Sequence, residues 1–296
     1  MRAPALSRNG VIGICSPSHI PQKEDYAVIF EAIRRKGYCV READNLYKDT
    51  YGYLASPEER AADFNQLVAD PEVELILFGG GEGANELLPY IDFENIRQHP
   101  KRICSYSDGT TVLNAIWANT GLETYYGQGI GAFRDLRCYD YEHFLHHLVL
   151  DDMAVHEANS VWRVMNPGRA EGILLGGYAR NFAMQLSSRY FPVDLTKKYV
   201  LFIEDHKMFG GIDYVSAMLS HIEQSDFMHS VTGLIFGHYD TELHPELLSR
   251  LKRFGERYAI PVVYCDDFGH GVNHAILPVG RRAELDTEHC TLRYFL

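Results

Sequence analysis

Residues 73–117 read VELILFGGGEGANELLPYIDFENIRQHPKRICSYSDGTTVLNAIW. An apolar run leads into three glycines and a helix-forming stretch. A second short run, RICSY, then turns on Ser-Tyr-Ser-Asp-Gly and enters another helix at once. Two successive strand-to-helix passages imply right-handed crossovers and a parallel sheet. The loops after such strands lie on the carboxyl edge, where sites in doubly wound sheets open. The second turn sets Ser107 at its apex, with small Ser105 two residues before and Gly109 two after. That spacing approximates a nucleophile elbow, in which small neighbours let the chain bend sharply and expose a hydroxyl. The plainer alternative is that Ser107 or Asp108 caps the helix beginning near Gly109.

The same alternation extends upstream. VIGIC (11–15) reads as a buried strand. KEDYAVIFEAIRRK (23–36) reads as a helix with Tyr26, Ile29, Phe30 and Ile33 on one face and Gly37 as its stop. YCVREA (38–43) is a strand, and Ser56-Pro57-Glu58-Glu59 a capping box opening a helix to about Ala69. The expected fold is therefore α/β, with an N-terminal doubly wound parallel sheet, Rossmann- or flavodoxin-like, over 1–150. The acidic, then polar stretch 151–170 reads as a linker. Over 171–296, strands at 171–177, 198–204, 231–237 and 261–265 alternate with helices near 211–223 and 244–257. The last stretch reads as short antiparallel strands, giving a smaller C-terminal domain with a mixed sheet.

Composition bounds the function. The 296 residues are 46% apolar and 23% charged, with a formal charge of −12, which disfavours nucleic acid and anionic membranes as partners. No apolar run is long enough for a membrane span. The six cysteines form no CxxC pair, and four lie in or beside apolar runs, as expected of reduced thiols in a cytoplasmic protein.

Several side chains invite chemistry. GGGEGA (79–84) fits a dinucleotide fingerprint, but equally a loop whose bare N–H groups, with that of Asp108, would face an oxyanion. His143, His146 and His147 have helical spacing and read as a solvated helix face rather than metal ligands. Two triplets, Phe236-Gly237-His238 and Phe268-Gly269-His270, each offer an imidazole base near the end of a strand, and spacing does not choose between them. Glu204 or Asp205, ending the strand KYVLFIED, would orient it.

Taken together, ICSPS, the segment GGGEGANELLPYIDFENIRQHPKRICSYSD, the pair Gly176-Gly177, LFIED, GLIFG, and FGH followed by LPVG resemble the LD-carboxypeptidase family of serine peptidases, which includes the microcin-C immunity peptidases. The resemblance covers nearly the whole chain. It implies a Ser-His-Glu triad of Ser107, His270 and Glu204, with the N–H groups of Gly81 and Asp108 as oxyanion donors. It implies no cofactor and no metal, a homodimer, and a small peptide or peptidyl-nucleotide as substrate. LD-carboxypeptidases cut murein peptides; the immunity peptidases cut the amide of an aminoacyl-nucleotide. YGYLASPEERAADFNQLVADPEVELI and SHIEQSDF look closer to the immunity branch, with Trp162 or Tyr178 as the aromatic to stack on a base. The chain departs from the family pattern at Gly79, Glu82 and GGYARN, which bear on substrate preference, and at Ser105, which is small enough to fit. The alternatives are a non-catalytic nucleotide-binding protein on the same sheet, or an α/β-hydrolase esterase.

Overall fold

The computed structural model describes residues 1–127, 129–135 and 137–295. The chain forms two compact units, Met1–Asp152 with Ile276–Pro278, and Met153–Ala275 with Val279–Leu296.

In the first unit, β1 (Val11–Ile14), β2 (Cys39–Glu42), β3 (Val73–Leu77), β4 (Arg102–Ser105) and β5 (Thr124–Tyr126) alternate with α1 (Lys23–Arg35), α2 (Pro57–Ala69), α3 (Phe93–Gln98) and α4 (Thr110–Thr120). Two short helices, α5 (Gly129–Asp135) and α6 (Cys138–Phe144), follow. β1 runs parallel to both β2 and β3, and β4 is parallel to β3 and β5. The order 2-1-3-4-5 is that of flavodoxin-like sheets, and it puts the topological switch point between β1 and β3. The far edge is closed by Leu277–Val279, a strand from near the end of the chain.

The expected patterns explain why these segments fold as they do. The α1 face of Tyr26, Ile29, Phe30 and Ile33 is buried in one cluster with Ile12, Ile14, Leu75 and Leu77. Each such side chain contributes roughly 1.5–3 kcal/mol on burial. The capping box that opens α2 is complete, with Glu59 N–H donating to Ser56 Oγ and Ser56 N–H to Glu59 Oε2. The histidines of α6 and the turn after it depart from expectation. His143 and His147 are buried rather than solvated, their rings stacked 5.7 Å apart, while His146 lies at the surface against Asp152. Phe144 and Leu148 are buried beside them, so this segment is enclosed on more than one face.

The second unit carries β6 (Val155–Glu157), β7 (Arg163–Asn166), β8 (Arg169–Tyr178), β9 (Tyr199–Glu204), β10 (Val231–Phe236) and β11 (Val262–Tyr264). With Leu277–Val279 counted as β12, β13 (Arg282–Asp286) and β14 (Thr291–Tyr294) complete it. Its helices are α7 (Ala179–Gln185), α8 (Ile212–Glu223) and α9 (Pro245–Tyr258). The eight-stranded sheet has the order β6-β14-β13-β8-β9-β10-β11-β7. Its centre, β8 to β11, is parallel, and β13, β14, β6 and β7 add antiparallel pairs on the two sides. This is the mixed sheet that the sequence implied. Residues 151–170, read as a linker, instead supply both edge strands of it, β6 and β7. Among the described residues no helix is long and apolar enough to cross a membrane, and all six cysteines are free thiols.

Candidate active site

Ser107 stands two residues past the end of β4, and its φ is +55°, in the left-handed region. A residue with a Cβ held there stores about 1–3 kcal/mol of strain, and the surrounding bonds sustain it. Ser107 N–H donates to the Tyr126 hydroxyl at 3.1 Å, Gly109 N–H to Tyr106 O at 3.0 Å, and the Thr110 hydroxyl to Ser107 O at 2.6 Å. The small neighbours are required: a side chain at Gly109 would collide with Ser105. Gly109, rather than Ser107 or Asp108, occupies the cap position of α4, so the capping alternative does not account for the turn. The Asp108 carboxylate instead accepts the Ala84 N–H at 2.7 Å, tying the elbow to the glycine loop.

That loop lies against the serine, because β3 and β4 are neighbours. A Cβ built on Gly80 would come within 2.6 Å of Ser107 Cβ. Gly81 has φ +144°, and any side chain there would strike the Ser18 carbonyl. The conformation is open to glycine and to little else. Gly81, Asp108 and Ser107 are thus gathered on one edge. The dinucleotide reading of 79–84 loses its support, since a short 3₁₀ segment, Ala84–Tyr90 with Pro89 inside it, follows the glycines. The fingerprint needs an α-helix whose N-terminus faces the pyrophosphate.

In the second unit, Glu204 ends β9 fully buried, and its Oε2 lies 2.9 Å from His270 Nδ1. With Nδ1–H given to that carboxylate, Nε2 is the nitrogen left to accept a proton. Burial disfavours the charged imidazole, but the charge and hydrogen bond of Glu204, with the charge of Asp205, outweigh it and raise the His270 pKa. Asp205 itself is pushed up to about 7, by burial first and by the Glu204 charge in addition. Tyr178 and Phe209 frame the His270 ring edge-on, their centroids 5.5 and 5.1 Å away.

The other FGH histidine is also paired: His238 Nδ1 lies 2.7 Å from Asp266 Oδ1. The difference is burial. The Asp266 side chain is 42% exposed and that of Glu204 not at all. A carboxylate shielded from water fixes and polarises an imidazole more strongly, so geometry favours His270. His206, whose ring stands between 5.6 and 6.3 Å from those of His238 and His270, was not anticipated.

Nor was Asp267, which anchors the His270 loop. It accepts from Trp162 Nε1 at 2.8 Å, Ser160 N–H at 2.6 Å and Asn159 N–H at 3.1 Å, and pairs with His156 Nε2 at 3.1 Å. Burial would raise its pKa, but these donors hold it well below the carboxylate range. The signal was the acid pair directly before FGH in CDDFGH. Trp162, buried and bonded in this way, is committed to structure rather than to stacking on a ligand.

Residues 12–127 match the LD-carboxypeptidase N-terminal domain and residues 171–285 the LD-carboxypeptidase C-terminal domain. A Bacillus subtilis protein named "Probable murein peptide carboxypeptidase" is 29% identical, over 97% of this chain and 92% of its own. The microcin C7 self-immunity protein MccF of Escherichia coli is 25% identical, over 95% and 90%. Among solved structures, an MccF-like protein from Bacillus anthracis superposes with a TM-score of 0.90 at 24% identity, covering 100% of this chain and 99% of that one. MccF in complex with glutamyl sulfamoyl guanosine gives 0.85 at 23%, covering 99% and 98%. At those identities the structures speak to the fold.

Proposed function

Because the chain belongs to the LD-carboxypeptidase family of serine peptidases, we propose that its amide hydrolysis runs through Ser107 as nucleophile, His270 as general base and Glu204 as the acid that orients it. The Ser107 hydroxyl proton passes to His270 Nε2 as Oγ bonds to the scissile carbonyl carbon. Glu204 holds the ring by Nδ1–H and stabilises its charged form. The carbonyl oxygen, now negative, is met by the N–H groups of Gly81 and Asp108. Collapse breaks the C–N bond, and the imidazolium returns the proton to the departing amine. Water, activated by the same imidazole, then releases the acyl group from Ser107.

The observation that carries this reading is the buried Glu204 carboxylate on His270 Nδ1, two residues drawn from separate motifs and found paired at 2.9 Å. The left-handed Ser107 supports it from the first unit. The substrate is a small peptide or peptidyl-nucleotide carrying a C-terminal amide. That class is supported by the murein-peptide name of one relative and the aminoacyl sulfamoyl nucleotide bound by another. We place the protein in the cytoplasm as a homodimer, a state that light scattering tests directly.

Purified wild type and Ser107→Ala should be incubated with a murein tetrapeptide and, separately, with a peptidyl-adenylate, and products identified by mass. Wild type is expected to cleave one of them, and the variant to lose roughly four or more orders of magnitude in turnover. Full turnover in Ser107→Ala overturns the assignment. Cleavage of neither substrate by wild type removes the substrate class.

A further inference from the structure

The mechanism above leaves unused an arginine buried beside the glycine loop. Arg60 lies in the first turn of α2 and is 3% exposed. Its Nε–H donates to Ala55 O at 2.9 Å, Nη1 donates to Pro17 O and to Gly83 O, the latter at 3.1 Å, and Nη2 donates to Glu86 Oε2. Nη1 carries two hydrogens, so its two carbonyls do not compete for one proton. A guanidinium is costly to bury unless its donors are met in this way. An apolar side chain of similar volume would fill such a place without that penalty, but it could not join chain segments.

The segments joined are those that frame the proposed oxyanion hole. Ala55 precedes α2, Pro17 lies in the loop after β1, and Gly83 ends the glycine loop after β3. Each of three consecutive residues there is tied. The Glu82 N–H donates to Ser18 O at 2.9 Å, Gly83 O accepts from Arg60, and the Ala84 N–H donates to Asp108 Oδ2 at 2.7 Å. Because Pro17 and Ser18 are adjacent, the guanidinium holds both Gly83 and the stretch that receives the Glu82 N–H. The Ser18 carbonyl also fills the space where a Gly81 side chain would go. Consecutive glycines have the greatest backbone freedom available to a chain, and an oxyanion donor works only if its direction is set in advance. With Glu82 held, only the two soft dihedrals of Gly81 separate its N–H from a fixed peptide plane.

We propose that Arg60 is a positioning residue of the oxyanion hole: by binding Pro17 O and Gly83 O from one nitrogen, it locks the loop after β1 to the glycine loop, so that the Gly81 N–H faces the developing oxyanion. The inference rests on Ser107 as nucleophile and Gly81 as donor, and extends that reading to a residue outside the triad.

Three variants separate this role from plain stability. Arg60→Lys keeps the charge, but three hydrogens on one nitrogen cannot span the acceptors of a planar fork. Arg60→Ala removes both charge and fork. Glu86→Gln removes only the ion pair, whose carboxylate side chain is 40% exposed, and leaves the three carbonyl bonds. Sites are counted by fluorophosphonate labelling of Ser107 carried to completion, and kcat is expressed per labelled site, so misfolded protein does not enter. In Arg60→Lys and Arg60→Ala, kcat and the labelling rate should fall together by roughly ten- to a hundredfold, below the loss for a deleted donor, with KM within about threefold. Glu86→Gln should keep kcat within about threefold while its urea midpoint falls. Wild-type kcat per site in Arg60→Lys, a loss confined to KM, or an equal kcat loss in Glu86→Gln overturns the proposal. Arg60→Lys decides the matter if the alanine variant does not fold. Ser107→Ala in parallel separates the two claims: its retained turnover sinks the nucleophile, whereas its silence beside a fully active Arg60→Lys sinks only the positioning role.

Discussion

A histidine serves as a base only while neutral, and its raised pKa therefore works against His270 at low pH. The ordinary histidine value is 6.5, and the Glu204 charge and hydrogen bond, with Asp205, carry His270 above it despite burial. The expected kcat/KM falls as pH drops through a value above 6.5. In Glu204→Gln the carboxylate charge is gone while the burial remains, so the residual acid limb should move to lower pH. Turnover should fall about 10³–10⁴-fold, as when an orienting acid is replaced by its amide in related triads. A pH–rate profile of the variant checks both. An acid limb that stays in place would mean that Glu204 does not set the His270 proton affinity. His238→Ala supplies the contrast: its partner Asp266 is partly exposed, and its loss is expected to leave kcat within about tenfold of wild type.

At the scale of elements, the His270 loop depends on a segment that composition presents as a linker. Asp267 draws donors from His156, Asn159, Ser160 and Trp162, and the strand β6 begins that segment. Trp162→Phe keeps most of the ring volume and removes one hydrogen bond to a buried carboxylate. Urea denaturation is expected to show a loss of about 1.5–3 kcal/mol, accompanied by lower kcat because the loop that ends in His270 slackens. Unchanged turnover in a destabilised variant would confine Asp267 to a stability role. The strong periodicities were legible: α1 and its buried face, the Ser56 capping box and the parallel strands all stand where pattern puts them. β6 and β7 were not, because VHE and RVMN are three- and four-residue edge strands with little apolar alternation. The burial of His143 and His147 was also hidden. A histidine at helical spacing carries no sign of which face packs, and this one is decided by tertiary contact.

For the whole molecule, the proposed Ser107, Glu204 and His270 could be picked out of the sequence because each stands in a short motif at or soon after the end of a strand, with the family resemblance choosing His270 over His238. Asp267 could not, since its partners are brought to it by folding: it meets residues of the expected linker. Acyl transfer by a serine, a histidine and a glutamate calls on no metal, so turnover is expected to persist in excess EDTA, and its abolition, reversible by added metal, would require a different chemistry. In the mechanism we propose, one strained serine performs the reaction with an imidazole that Glu204 holds in place. The most direct measurement is the intact and peptide-level mass of the protein after reaction with a fluorophosphonate. A single adduct on Ser107, formed at least a hundredfold more slowly in His270→Ala, is the expected result. Labelling at another residue, or equal labelling without His270, would contradict the account.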